Sequence, residues 1–478
     1  MFIRASILLT LMLSCIGCGK TETPPGEDAA SYPVRSDWLV VNVPTGVQPS
    51  KWYEPGYPPL ASLNRPHETL AGDDALLLSQ AQKRVILNTK KVEPDLRDEF
   101  DKVLTELYGT PREPKVPSGP MLVESTKLGD KLNTLRDNFS AKRAEVQTLK
   151  DAAKTPDDQQ LVGIIGAQAN TMAADILALE DRINQLQTFD SELKLDSDTL
   201  KQGGVLYRNY CQQCHGLTGD GAGPGGKYLV PLPRDYRQGL FKFITTDPGV
   251  GGKRKPSRGD LHRTITKGMD GSPMPQFGAL SDKDVQAIIS YVIHLSMRGE
   301  TEYEVMKKAA DPGADEMDRG DVRKGLLNQA SITIPLWVQS GRTPIVPDAN
   351  PYPPEKWAEA AANGHKLFND AKVGCTTCHT GYGKAAPYQF DSWGSIVRPR
   401  NLTVPTLRGG RKPEEIYARI YGGILGSNMP AHTHLRPTED EKLARTNKIW
   451  DLVHFVLYAA ESDKRQELKD KFQVEIDP

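Results

Sequence analysis

Two copies of one short cysteine motif constrain this 478-residue chain more than any other feature. Residues 211–215 read CQQCH and residues 375–379 read CTTCH, and the other two of the six cysteines lie within the first twenty residues. Two thiols one helical turn apart can each take one vinyl group of a haem, and the histidine that follows then lies under the iron. The motifs therefore predict covalent haem attachment at two places.

A Cys-x-x-Cys pair without the histidine also serves as a redox dithiol or as half of a structural zinc site. A zinc site would need a second pair of cysteine or histidine residues nearby, and none follows either motif at the usual spacing. The histidine present in both copies favours two c-type haems, one per motif, with a reducible disulfide or structural zinc as the alternatives.

The charge of the chain is balanced, with 60 lysine and arginine residues against 61 aspartate and glutamate residues. Such a balance predicts no strongly basic face, so nucleic acid is not an expected partner. The hydrophobic content of 38%, with 42 glycines and 36 prolines, is typical of loop-rich domains around small cores. A haem would add apolar bulk to such cores.

The N-terminus predicts export. Residues 1–18 carry one arginine and then an apolar run that is too short to span a bilayer, as in a signal peptide. The small residues and cysteines at its end are typical of a bacterial lipoprotein signal, with lipidation at Cys18 and Cys15 as the alternative acceptor; an ordinary cleaved signal is the other possibility. We expect a location on the periplasmic side of a bacterial membrane. No later segment was expected to cross a membrane, so a lipid or a partner would provide the attachment.

The chain then divides by composition. Residues 19–72 are rich in proline and glycine and predict an extended tether. Residues 73–190 predict a helical region, in which two apolar stripes with three-, four- and seven-residue steps indicate an antiparallel hairpin. Thr155 is the expected N-cap of the second hairpin helix, with Pro156 at its first position.

The last part of the chain contains the same order of features twice. Residues 195–300 and 355–463 each begin with a helix that ends at the haem motif, continue through irregular chain to a Met-Pro pair, and close with an amphipathic helix. Residues 301–354 are expected to link the two halves. The order predicts an internal duplication.

Both halves resemble class I c-type cytochrome domains. The first carries Gly204, Leu206 and Tyr207 before CQQCHG, the second carries Gly364, Leu367 and Phe368 before CTTCH, and both have the Met-Pro pair and the closing helix. The resemblance covers a little under half of the chain. It implies a mostly α fold, in which two small all-α cytochrome c domains, each wrapped on one haem, follow the tether and the hairpin region.

The resemblance also implies roles for individual residues. The cysteines would form thioethers, the histidines would be proximal iron ligands, and a methionine from each Met-Pro pair would be the distal ligand; these are Cys211, Cys214, His215 and Met274 in the first half, and Cys375, Cys378, His379 and Met429 in the second. Competing distal candidates are Met269, His262 and His294 in the first half, and His432 and His434 in the second. By the same resemblance, Arg234, Arg263 and Arg408 would pair with haem propionates or lie in solvent, and the Pro405 carbonyl would accept a hydrogen bond from the second proximal histidine.

The function implied is electron transfer by an exported dihaem c-type cytochrome between membrane respiratory complexes. Iron with histidine and methionine ligands has no open position, so it exchanges electrons rather than binding a substrate, and methionine raises its reduction potential. The expected partners are redox proteins or a membrane complex. The alternatives are a dihaem peroxidase-like enzyme, a sulfur-compound oxidoreductase, and a cytochrome subunit of a quinol-oxidising or terminal-oxidase complex.

Overall fold

The structure is a computed structural model that describes residues 38–40, 86–88 and 92–476 apart from 222, 230, 251–253, 311–316, 387–388 and 394–395. The chain is mostly helical. The expected signal peptide 1–18, the lipidation site Cys18 and most of the tether 19–72 lie outside the described residues.

Four short strands form two antiparallel pairs. Strand β1 (Trp38–Val40) pairs with β2 (Ile86–Asn88), and β3 (Gln389–Phe390) pairs with β4 (Ile396–Val397). The β1 strand lies within the predicted tether, and β2 lies where a helix was expected. Ile86 is β-branched, and β-branched residues favour the extended backbone.

The first structural unit, residues 92–342, contains eight α-helices within its described part. They are α1 (Pro94–Tyr108), α2 (Ser118–Ala152), α3 (Pro156–Glu192), α4 (Ser197–Tyr210), α5 (Gln212–His215), α6 (Arg258–Lys267), α7 (Asp282–Ala309) and α8 (Arg319–Arg342).

Helices α2 and α3 pack along one another as an antiparallel hairpin, and Arg136 of α2 pairs with Glu180 of α3 at 2.6 Å. The predicted start of α3 is confirmed. The Thr155 hydroxyl accepts from the Asp158 amide at 3.2 Å, the Asp158 carboxylate accepts from the Thr155 amide at 2.9 Å, and Pro156 opens the helix. This reciprocal cap satisfies amides that the first turn leaves without helical partners.

The core of the first unit gathers residues from far apart in the sequence. Side chains of α1, the end of α3, α4, α7 and α8 form one buried apolar cluster, in which Phe100, Tyr207, Tyr291 and Trp337 are almost fully enclosed. Helices α4 and α7 cross closely because Gly203 lies against the Ala287 carbonyl. The glycine at the crossing is Gly203.

The second unit, residues 345–476, has its own core. Its helices within the described residues are α9 (Trp357–Asn369), α10 (Cys375–Cys378), α11 (Pro413–Gly422), α12 (Glu439–Leu443), α13 (Lys448–Ala459) and α14 (Ser462–Phe472). Helices α9 and α13 cross where Gly364 lies against the Asp451 carbonyl, as α4 and α7 do in the first unit. Phe368 packs on Phe455 with ring centroids 5.0 Å apart.

Three predicted boundaries differ from the structure. Helix α7 continues past residue 300 to Ala309, and α8 packs into the first core through Trp337, so much of the expected linker 301–354 is part of the first unit. Helix α14 extends the second unit beyond residue 463, and its Leu468 is fully buried. In each case apolar side chains beyond the predicted boundary, such as Met306, Trp337 and Leu468, pack into the core of the neighbouring unit.

Helix α3 corrects one further expectation. By length and composition Pro156–Glu192 is apolar enough to cross a membrane, whereas no segment after the signal was expected to be. Only 11% of its most apolar stretch is buried, and Leu161, Ile164 and Leu177 are exposed. Alanine and glycine make up much of that stretch, which is why it carries little of the leucine-rich pattern expected of a spanning helix.

Candidate haem sites

The first cysteine motif lies at a sharp junction between helices. Helix α4 ends at Tyr210, Cys211 caps it, and the single turn α5 carries Cys214 and His215. Gly216 leaves the turn at φ 76°, a backbone conformation that glycine adopts without strain, and its carbonyl accepts from the Tyr207 hydroxyl at 2.9 Å. Burial raises the pKa of the Cys211 thiol to about 12, so this thiol is protonated rather than a reactive thiolate.

The imidazole of His215 is fixed in one tautomer. Its Nδ1 donates to the Arg234 carbonyl at 3.1 Å, and its ring stacks on Tyr236 at 5.0 Å between centroids. Since a carbonyl only accepts, Nδ1 carries the proton and Nε2 keeps the lone pair that a metal would need. Burial also lowers the pKa of His215 to about 4, which keeps the ring neutral.

The second motif repeats this arrangement. Gly374 at φ 80° starts the turn α10 with Cys375 and Cys378, and burial raises the pKa of the Cys375 thiol to about 11. The His379 Nδ1 donates to the Arg400 carbonyl at 3.1 Å, and burial lowers the pKa of His379. The two proximal candidates therefore present the same nitrogen.

The carbonyl partner of His379 corrects the expectation for Pro405, because the acceptor is Arg400. The sequence contained a signal for this residue. Arg234 and Arg400 each follow a proline, and they lie 19 and 21 residues after the histidine that they orient. We call residues 233–236 the first strap and residues 399–408 the second strap.

The two Met-Pro pairs lie in loops of the same pattern. Residues 268–275 read GMDGSPMP and residues 423–430 read GILGSNMP, and we call them the first and second Met loops. In each loop the amide of the second residue donates to the methionine carbonyl, at 3.1 Å for Met274 and 3.0 Å for Met429. In each, the serine hydroxyl also accepts from the methionine amide at 3.3 Å. The first two glycines of both loops have positive φ.

The competing distal candidates differ in their surroundings. His294 is fully buried, and its Nε2 donates to the carbonyls of Tyr108 and Lys115, both at 3.0 Å, so it is committed to the protein core. His262 is on the surface, 3.1 Å from Asp282. Met269 lies near Met274, but its place in the second loop is taken by Ile424, which cannot bind a metal.

In the second unit His432 is the remaining competitor. It is 9% exposed, and its Nδ1 has no hydrogen-bond partner among the described residues. It stands three residues after Met429, where the first unit has Phe277, and both residues donate their amide to an equivalent isoleucine carbonyl, Ile420 and Ile265. His434 lies 5.7 Å from His432 between ring centroids and does not face the same space.

Both motifs and both methionines face one continuous cavity of about 1120 Å³. Most ligand pockets measure roughly 300–1,000 Å³, so the volume exceeds that of a usual single-ligand site. No cluster of three or more histidine, cysteine, aspartate or glutamate side chains able to hold a metal ion occurs in the described part of the chain. The predicted ligands on this cavity are Cys211, Cys214, His215, Met274, Cys375, Cys378, His379 and Met429.

The three arginines predicted near propionates have different roles. Arg234 and Arg408 line the cavity, and the Arg234 guanidinium carbon lies 3.6 Å from the ring centroid of Trp393. Arg263 instead donates to the Phe243 carbonyl and pairs with Asp260 at 3.2 Å. The sequence gave no reason to single out Trp393, which is 5% exposed between the two units.

The geometry of the first unit agrees with a comparison of sequence families. Residues 198–292 match the family model of Cytochrome C oxidase, cbb3-type, subunit III. The match spans the first motif and the first Met loop, and it supports a c-type cytochrome family and a covalently bound c-type haem.

Two further comparisons add little. No curated protein matches the chain. Among solved structures it is similar to a chain of the Kuenenia stuttgartiensis reducing HAO-like protein complex, with 22% identity and a TM-score of 0.38 over 55% of this chain and 96% of that chain.

Proposed function

We propose that the chain is an exported dihaem c-type cytochrome that passes electrons between redox proteins or membrane respiratory complexes. The observation that carries this proposal is the repeated set of cysteine, histidine and methionine residues around one cavity. A haem supplies a one-electron couple when bound. The residues would hold one such group through Cys211, Cys214, His215 and Met274, and the other through Cys375, Cys378, His379 and Met429.

The equivalence of the two Met loops favours a carrier over a peroxidase-like or sulfur-oxidising enzyme. An enzyme that binds its substrate at iron needs one site without a distal side chain. Here Met274 and Met429 occupy loops with the same backbone hydrogen bonds, and both face the cavity. Apolar side chains such as Ile288, Val292 and Leu452 line part of the same cavity, and an apolar surrounding limits the access of solvent to a metal centre.

Mass spectrometry and spectroscopy test the proposal. Protein matured with a haem-attachment system should carry the mass of two haems, and its optical and EPR spectra should contain two low-spin species with a methionine–iron band. The variants Cys375→Ser and Cys378→Ser together should reduce the haem content to one. A high-spin haem that reacts with peroxide would instead favour the enzyme.

We also propose that Cys18 is lipidated and holds the protein at the membrane. Replacement by Cys18→Ser should release the protein into the soluble periplasmic fraction, whereas Cys15→Ser should leave it with the membranes. If both variants stay with the membranes, the anchor is a partner or another segment of the chain.

A second candidate is a subunit role in a quinol-oxidising or terminal-oxidase complex. The α2–α3 hairpin favours it, because Leu161, Ile164 and Leu177 are exposed on an apolar helix that contributes little to the core. If the Cys18→Ser variant still co-purifies with the membrane fraction, the additional replacements Ile164→Glu and Leu177→Glu should release the protein into the soluble fraction.

A further inference from the structure

The two units contact each other through the segments that hold the predicted iron ligands. Trp393 of the second unit donates its Nε1 to the Asp235 carbonyl in the first strap at 3.2 Å. Its ring also lies under the guanidinium of Arg234, whose own carbonyl accepts the hydrogen bond from His215. Trp393 therefore bonds to Asp235, the residue next to Arg234, whose carbonyl orients the first proximal histidine.

The opposite edge of Trp393 lies against the second Met loop. Gly426 has φ 69°, and a Cβ atom on it would collide with the six-membered ring of Trp393. The neighbouring Ser392 donates its amide to the Gly426 carbonyl at 2.9 Å. One side chain thus joins the first strap to the loop that presents Met429.

The reverse connection is made by the second strap. Arg408 donates Nε to the Gly271 carbonyl in the first Met loop at 3.2 Å, and a Cβ on Gly271 would be 3.2 Å from the Thr406 methyl. Arg400 donates Nε to the Thr406 carbonyl at 2.7 Å, which links this contact to the residue that orients His379. The second strap therefore contacts the first Met loop directly, and the first strap is joined to the second Met loop through Trp393.

Buried charges hold this interface in place. Lys242 pairs with Asp391 at 2.8 Å, and their side chains are 15% and 2% exposed. The Lys242 ammonium also lies 5.4 Å from the Trp393 ring centroid. Such a pair is costly to separate, because either partner alone would leave an uncompensated buried charge.

We propose that these reciprocal contacts make the two haem sites one coupled redox unit, in which Trp393 is the positioning residue that links the second distal loop to the first proximal histidine. The inference rests on the proposed function. A strap that moves changes the hydrogen bond to its histidine, and this bond sets the basicity of the ligand. The distal state of one site therefore changes the reduction potential of the other.

The decisive experiment is a double-mutant cycle on reduction potentials. The variant Met429→Ala, made together with His432→Phe so that this histidine cannot replace the methionine, should give the second site a high-spin spectrum, so the low-spin first site can be titrated separately. With Trp393 in place, we expect Met429→Ala in the His432→Phe protein to change the reduction equilibrium constant of the first site about tenfold, which is about 59 mV for one electron. With Trp393→Leu already present, the same replacement should change it less than twofold.

Two control variants test whether the effect depends on Trp393. Trp357→Leu removes a partly exposed tryptophan at the start of α9 whose hydrogen bond to Tyr352 and stacking on His454 lie within the second unit, and it should leave the tenfold effect intact. Trp393→Phe keeps a ring but loses the donor to Asp235, and should reduce the effect partly; it also serves if Trp393→Leu does not fold.

The outcomes are distinguishable. Equal shifts with and without Trp393, or no shift from Met429→Ala in protein that carries two haems, would overturn the coupling while leaving electron transfer by two haems in place. A mass that corresponds to fewer than two haems would overturn the proposed function itself, before any potential is measured.

Discussion

At the scale of single residues, Met274 and Met429 are the proposed distal ligands of the two sites. Methionine ligation raises a haem potential relative to histidine ligation. We expect Met274→His and Met429→His each to lower the potential of its own site by on the order of 0.1 V or more, within the roughly 0.8 V range that axial ligation spans. Spectroelectrochemical titration of each variant measures this.

The control for the second site is His432→Phe, which copies Phe277 of the first unit. It should leave the methionine–iron band unchanged. If His432→Phe removes one low-spin species and Met429→His changes nothing, His432 is the distal ligand of the second site.

Asp451 is a residue whose charge opposes folding. It is 7% exposed, and one of its carboxylate oxygens has no hydrogen-bond partner among the described residues. Burial raises the pKa of Asp451 from 3.8 to about 6, despite the hydrogen bond from Tyr352. The folded state therefore holds this proton more tightly than the unfolded state does, and stability is lost as the pH rises from about 4 to 6.

Asp451→Asn should remove that loss. A rise of about two pKa units corresponds to on the order of 2–3 kcal/mol. The variant should therefore gain unfolding free energy at pH 8 relative to the parent and gain little at pH 4, as measured by denaturant titration at both values. Asp137→Asn, at an exposed position on α2, should be neutral at both. An equal gain at pH 4 and pH 8 would rule out the charge as the cause.

At the scale of elements, the helix crossings of the two units depend on glycine. At Gly364 a Cβ atom would collide with the Asp451 carbonyl of α13. We expect Gly364→Ala to lower the free energy of unfolding by about 1–3 kcal/mol, because α9 must move away from α13. Thermal unfolding of the haem-containing protein measures the effect.

The matched control is Gly163→Ala in α3. A Cβ there would meet no atom within 4 Å, so the replacement should stabilise the helix by about 0.5–1 kcal/mol. Opposite signs for the two replacements would identify steric contact, rather than helix propensity, as the reason for Gly364.

The elements differ in how much of their structure the sequence alone predicts. The motifs, the Met loops and the start of α3 depend on residues a few positions apart, and their patterns were visible. The placement of α8 in the first core, and of His294 between carbonyls 186 and 179 residues away, depends on contacts that no local pattern records. The same applies to Trp393, whose partner in the first strap is 158 residues away.

At the scale of the whole molecule, one buried arginine joins the two units. Arg254 is 2% exposed and donates to the Thr246 carbonyl at 2.6 Å and to the Gly422 carbonyl at the end of α11. Nearby, the Ile345 amide donates to the Thr245 carbonyl at 2.6 Å. Since a buried carbonyl without a donor costs about 1–3 kcal/mol, these bonds favour unfolding of both units together.

Arg254→Met should uncouple the units. We expect one main transition in calorimetry of the parent and two in the variant, the lower one accompanied by spectral change at only one haem site. Arg258→Met is the matched control: Arg258 makes its hydrogen bonds to Leu193, Gln286 and Ser290 within the first unit. It should lower the transition temperature without splitting the transition. A single transition in Arg254→Met would show that the strap and Met-loop contacts alone suffice to hold the two units together.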